Sequence, residues 1–312
     1  MTLGVEAGAT YAIEAPYAVT AGKIAEFAAA LGEKNPAFTD RDFARSLGLA
    51  DVMAPPTFGI VVTMPALERM LAGVGVPLHR VVHGAQSFVY HQPICAGQEL
   101  DAKLTITSVR SFKASTILMA RAELSVAGGS AVTCDSTLVV APDEEPEPAP
   151  MVDEGESADD APVFEPVITE SIPLSVGAEL PNRVVRVRRT DLVRYAGASG
   201  DFNPIHYSDH VARSVGLSGV IAHGMLTMGI AARTVTDVLA SPADLKEYST
   251  KFVKPVRVPD DMVGAGLSLG AIVRKELDDA VQIDVAAQAR GEKVLGMAKA
   301  IVRLPTETRN AK

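Results

Sequence analysis

Hydrophobic and polar positions along this chain pass twice through one order of elements. Each passage opens on a short amphipathic helix, expected at 23–31 and again at 191–199. Phe27 and Tyr195 occupy matching places in the two, and Thr190 is the expected N-cap of the second. A polar loop and a brief helix follow, the helix closed by Gly48 or Gly216 just past its C-cap. Next comes a long segment, apolar nearly all round, at about 57–72 and 224–239. A helix of that kind must be covered on every side. Strand-like runs rich in β-branched residues close each passage, at 85–92, 99–109, 116–126 and 131–140, then at 248–254, 262–273, 280–289 and 294–304. Their alternation predicts antiparallel strands with one buried face, and Gly128-Gly129 and Arg290-Gly291 read as hairpin turns.

The two passages align residue by residue. Shifted by 168, residues 32–54 fall on 200–222 with ten identities in 23 positions and no gap, among them Gly32/Gly200, Asn35/Asn203, Pro36/Pro204 and Gly48/Gly216. An antiparallel sheet curled round one buried helix covers it economically. The expected fold is therefore α+β: a double hot-dog, two tandem hot-dog domains whose sheets pair edge to edge as an internal pseudo-dimer. The halves are expected at 1–141 and 163–312, separated by a linker at 142–162.

Composition explains the linker and narrows the partners. The chain has 312 residues and a net charge of −9, and nine of its acids fall within 142–162, where there is no Lys or Arg. Without that segment, 29 acids face 29 bases, which argues against nucleic acid as a partner. Cys95 and Cys134 supply neither a disulfide framework nor metal-ligand spacing. With no signal peptide and no apolar run of about 18 residues, the expectation is a soluble, cytoplasmic protein without a membrane span.

The chemistry concentrates in the second passage. In Gly200-Asp201-Phe202-Asn203-Pro204-Ile205-His206 a carboxylate and an imidazole stand five residues apart, and Pro204 holds the chain out of helix. His223-Gly224-Met225 then opens the long apolar helix, whose first N–H groups have no partner within the helix. An acid, a base and such a helix start suit proton transfer beside a carbonyl. The same positions in the first passage hold Glu33, Phe38 and Pro56: a longer acid, a ring that carries no proton, and a residue with no N–H. One candidate site per chain follows. Asn203 and Pro204 recur in both passages, which favours loop support for them. His223, matched by Pro55, reads as structural or substrate-contacting. Two basic runs, Arg183/Arg186/Arg188/Arg189 and Lys251/Lys254/Arg257, read either as anion-binding patches or as solvated strand edges.

The segment from Tyr195 to His206, Tyr-Ala-Gly-Ala-Ser-Gly-Asp-Phe-Asn-Pro-Ile-His, resembles the hydratase motif of MaoC-like (R)-specific enoyl-CoA hydratases and 3-hydroxyacyl-thioester dehydratases, and Ala222-His223-Gly224-Met225 resembles that family's second segment. The likeness covers most of the second half. The first half is similar to the non-catalytic subunit of mycobacterial fatty-acid-synthase-II type dehydratases, so the chain looks like two such subunits fused. The resemblance implies reversible syn hydration of trans-2-enoyl thioesters in fatty-acid metabolism. It makes Asp201 and His206 the catalytic pair, Gly224 the oxyanion donor, and Asn203 and His223 supporting residues. It implies no metal and no cofactor beyond the pantetheine of coenzyme A or acyl carrier protein on the substrate, and it gives the first half the acyl tail to hold. Which carrier is used, and whether a homodimer forms, stay open. A hot-dog acyl-CoA thioesterase and a non-enzymatic acyl-thioester-binding protein are the alternatives.

Overall fold

The computed structural model describes residues 4–142, 162–168 and 171–304. The expected linker falls almost wholly outside them. The first half runs β1 (Thr10–Ala12), β2 (Tyr17–Ala18), α1 (Ala21–Leu31), α2 (Arg41–Ser46), α3 (Gly59–Gly73), β3 (Val81–Tyr90), β4 (Glu99–Phe112), β5 (Ser115–Val126) and β6 (Gly129–Val140). The second runs β7 (Glu179–Val187), α4 (Arg189–Ser199), α5 (Asp209–Ser214), α6 (Gly224–Thr236), β8 (Leu245–Phe252), β9 (Ala265–Glu276), β10 (Ala280–Ala289), β11 (Glu292–Lys293) and β12 (Leu295–Arg303).

All strand pairs are antiparallel, and the strands form one sheet in the order β1-β4-β5-β6-β3-β8-β12-β10-β9-β7. β3 and β8 join the halves, from Ala85 opposite Lys251 to Val89 opposite Glu247, as the edge-to-edge expectation required. The sheet wraps α3 and α6. On α6 every residue from Met225 to Thr236 is buried, which fits its all-round apolar sequence. Phe27 and Tyr195, equivalent under the repeat, touch each other with ring centroids 5.8 Å apart and so mark the pseudo-twofold axis.

Local chemistry sets the helix ends. Thr20 caps α1 by accepting the Lys23 N–H, and Ser208 caps α5 by accepting that of Val211. Gly32 and Gly200 close α1 and α4 in the left-handed region, at φ 68° and 82°. Thr190 is not the cap of α4. That helix starts earlier, from Arg188, whose N–H donates to the Asp191 carboxylate at 2.9 Å. Arg290 and Gly291 form the expected tight turn, both at positive φ, whereas the turn before β6 sits one residue earlier than expected, at Ala127-Gly128.

Candidate active site

The Gly200–His206 loop leaves α4 through its left-handed glycine and winds into a single 3-10 turn, Pro204–His206, capped by the Asn203 side chain accepting from the Ile205 N–H. The Asn203 amide also donates to the carbonyls of Leu78 and Val81, at 3.0 and 3.1 Å, in the other half. Asn35 does the same in reverse, donating to the Thr236 carbonyl at the end of α6. Each half therefore anchors the other's loop through one asparagine side chain.

The turn aims two groups at one cavity of about 230 Å³. Asp201 is half-buried, and one of its carboxylate oxygens accepts the Asn203 N–H at 3.2 Å. His206 is 7% exposed. Its Nδ1 lies 2.8 Å from the Ile221 carbonyl, which can only accept, so Nδ1 carries the proton and Nε2 is the basic nitrogen. Burial holds this imidazole below its ordinary value, opposed by the Asp201 charge and the Ile221 carbonyl. It is thus neutral near pH 7, with a lone pair to receive a proton.

His223 lies beneath this pair. It is fully buried and stacks on His206, with centroids 3.8 Å apart and ring planes 28° apart, and its Nε2 donates to the Asp201 carbonyl at 3.1 Å. Burial, then the neighbouring His206, hold it well below the ordinary imidazole value. Asp201, His206 and His223 offer ligand atoms within 4.8 Å of one another. The two rings are stacked rather than converging edge-on, and His223 Nε2 is already engaged with the Asp201 carbonyl.

Gly224 is the first residue of α6 and lines the same cavity. Its N–H occupies a position with no acceptor inside the helix, at the positive end of the helix dipole. A Cβ here would stand 3.1 Å from the Phe252 ring, so the glycine gives that ring room.

The first half supplies much of the cavity wall. Ile60, Met64 and Leu67 of α3 line it, as do Val82 and His83 of β3. Sequence reasoning missed His83. It packs on Phe252 at 5.3 Å, and its Nε2 donates to Gln86 Oε1 at 3.0 Å. Burial lowers this imidazole too, against the Asp201 charge. Glu68, on α3, is raised by burial and by the same carboxylate. Gly59, the first residue of α3, faces Cys134 and Phe88 and borders a different cavity.

The counterparts in the first half are dispersed. Phe38 is buried in a small apolar cluster with Ala44, Met53 and Cys95. The carboxylate of Glu33 is buried without a hydrogen-bond partner among the described residues, and burial followed by the Asp237 charge pushes it up to about 8. Beside it, Arg183 (2% exposed) pairs with Asp237 at 2.8 Å, and Arg233 pairs with Glu165, which also holds Lys34. Arg183 is therefore no part of a surface patch, and Arg189 is likewise engaged with Asp209 and the Val258 carbonyl. Of the second basic run, Lys254 does border the cavity, paired with Glu292.

Residues 7–134 match the model of the FAS1-like dehydratase domain region, and residues 167–289 match that of the MaoC like domain. The chain is 44% identical to a UPF0336 protein of Leifsonia xyli across 140 residues, 44% of this chain and 94% of that one. A UPF0336 protein of Streptomyces coelicolor is 41% identical across 136 residues, 43% and 91% respectively. Among solved structures, one described as a MaoC-like dehydratase superposes with a TM-score of 0.84 at 29% identity, covering 97% of this chain and 100% of that one. A Mycobacterium tuberculosis protein described as having a double hotdog fold superposes with a TM-score of 0.66 at 15% identity, covering 96% and 97%. No helix among the described residues is long and apolar enough to cross a membrane. The chain carries a FAS1-like dehydratase domain region and a MaoC like domain in tandem, in a double hot-dog fold.

Proposed function

We propose that the protein is a hydro-lyase that adds water reversibly to trans-2-enoyl thioesters, giving (3R)-hydroxyacyl thioesters, in fatty-acid metabolism. One observation carries the reading: an Asp201 carboxylate, a neutral His206 with Nε2 available and the start of α6 meet in one cavity with apolar walls. In the hydration direction a single water lies between Asp201 and His206. His206 Nε2 takes a proton as the water oxygen bonds to Cβ. The electron pair of the double bond moves toward the thioester oxygen, where the Gly224 N–H and the helix dipole stabilise it. Return of a proton from the pair to Cα on the same face completes syn addition. The only pantetheine this chemistry needs is the substrate's own. His223 and Asn203 hold the pair in place, and Ile60, Met64 and Leu67 of α3 give the acyl tail its apolar wall.

Purified protein given crotonyl-CoA tests this directly. The enoyl absorbance is expected to fall with no release of free thiol. Release of thiol would favour the thioesterase, and binding without either change would favour a binding protein. Both outcomes reject the proposal.

A further inference from the structure

The repeat leaves a second cavity, of about 480 Å³, where the first half would carry its own active site. Under the 168-residue shift Met53, Ala54 and Pro56 in its wall correspond to Ile221, Ala222 and Gly224 in the active cavity. The short turn and strand start that close it from the other half, with Pro242 and Leu245, correspond to Leu78 and Val81. Neither Glu33 nor Phe38 lines it, so the counterparts of Asp201 and His206 are missing from it, and the imidazole that does line it, His91, is hydrogen-bonded to Thr133. Its volume falls within the roughly 300–1,000 Å³ usual for small-molecule sites.

Its lining has changed character as well. The floor stays apolar, with Phe58, Ile94 and Val132. The rim carries two cations, Lys246 and Arg303, beside one acid, Asp244. Neither cation forms a salt bridge within 4.0 Å among the described residues. Both nevertheless favour the charged form of Asp244, which burial opposes. The rim therefore holds a net positive charge next to an apolar recess. An apolar body fits the recess, and an anionic head fits the rim.

We propose that this second cavity binds, without turning over, an acyl chain carried on an anionic head group, in a non-catalytic counterpart of the active cavity. The inference rests on the reading above that the active cavity takes acyl thioesters. Saturated hexanoyl-CoA, which offers no double bond to hydrate, and free hexanoate are the probes, titrated by calorimetry into wild-type protein and into Lys246→Glu/Arg303→Glu. The double variant is expected to lose one bound equivalent per chain of at least one probe, or to weaken it at least tenfold, while hydrating crotonyl-CoA at the wild-type rate. The probe affected identifies the head group as coenzyme A or carboxylate. Ala243→Phe, which narrows the cavity without changing its charge, is expected to remove the same equivalent. If both variants, folded by circular dichroism, bind as many equivalents of both probes as tightly as wild type, the proposal is overturned. Absence of hydration by wild-type protein would instead reject the catalytic reading, and it is read out separately from stoichiometry.

Discussion

At the scale of single residues, the proposed mechanism depends on one nitrogen. The Ile221 carbonyl fixes the His206 tautomer, and burial keeps the ring neutral. Replacing His206 by Ala, or Asp201 by Asn, is expected to lower kcat by about 10²–10⁴-fold with the fold retained. Because the imidazole titrates below its ordinary value of 6.5, kcat/KM should stay level from pH 7.5 down to 6.5 and fall only below it. An acid limb centred above 6.5 would count against His206 as the base. Stability follows two opposed slopes. His206 and His223 are depressed in the folded state, so their contribution is complete above the unfolded value near 6.5 and is lost as pH falls from there through the lower folded-state values. Glu33 is raised, so its contribution is complete below its unfolded value of 4.5 and is lost as pH rises toward about 8. Glu33→Gln removes the second slope. In thermal melts it should raise Tm at pH 8 by a few degrees, with the gain shrinking toward pH 5.

Elements decide what the catalytic residues can reach. The wall that α3 offers comes from a half with no catalytic groups, and on this reading it sets how long a tail fits. Met64→Phe or Leu67→Phe should shift the ratio of kcat/KM for four-carbon over ten-carbon enoyl thioesters at least about tenfold toward the short substrate; each buried methylene contributes about 0.8 kcal/mol. Sequence made the elements around this wall legible because a 168-residue repeat shows every long helix and strand twice. β7 escaped for a physical reason. Pro181 and Asn182 interrupt its alternation, and an edge strand tolerates them through a register shift between Leu180 and Arg183. The same disguise made Arg183 look like surface charge. The Asp201-to-His206 pair was readable because its spacing is local. His83 was not, since it stands within a strand outside the repeated motif and only the fold brings it to the cavity of the other half.

The molecule as a whole is expected to act as a unit. The cavity takes walls from both halves, the two loops are tied across the axis by Asn35 and Asn203, and β3 pairs directly with β8. Residues 163–312 produced alone should therefore show at least about 10²-fold less hydratase activity than the full chain, and co-expression with residues 1–142 should restore it. Full activity of the isolated half would show that the first half is dispensable for the reaction. The strand order has a consequence for synthesis on the ribosome. β12, the last in chain order of the described strands, lies between β8 and β10. Until it emerges, β8 has a neighbour on one side only and its Phe252 ring lacks a finished sheet behind it. A message cut short even a few codons before residue 295 would leave an open hydrogen-bonding edge in the middle of the barrel-like wrap, and quality-control proteases should clear such a product before it meets substrate.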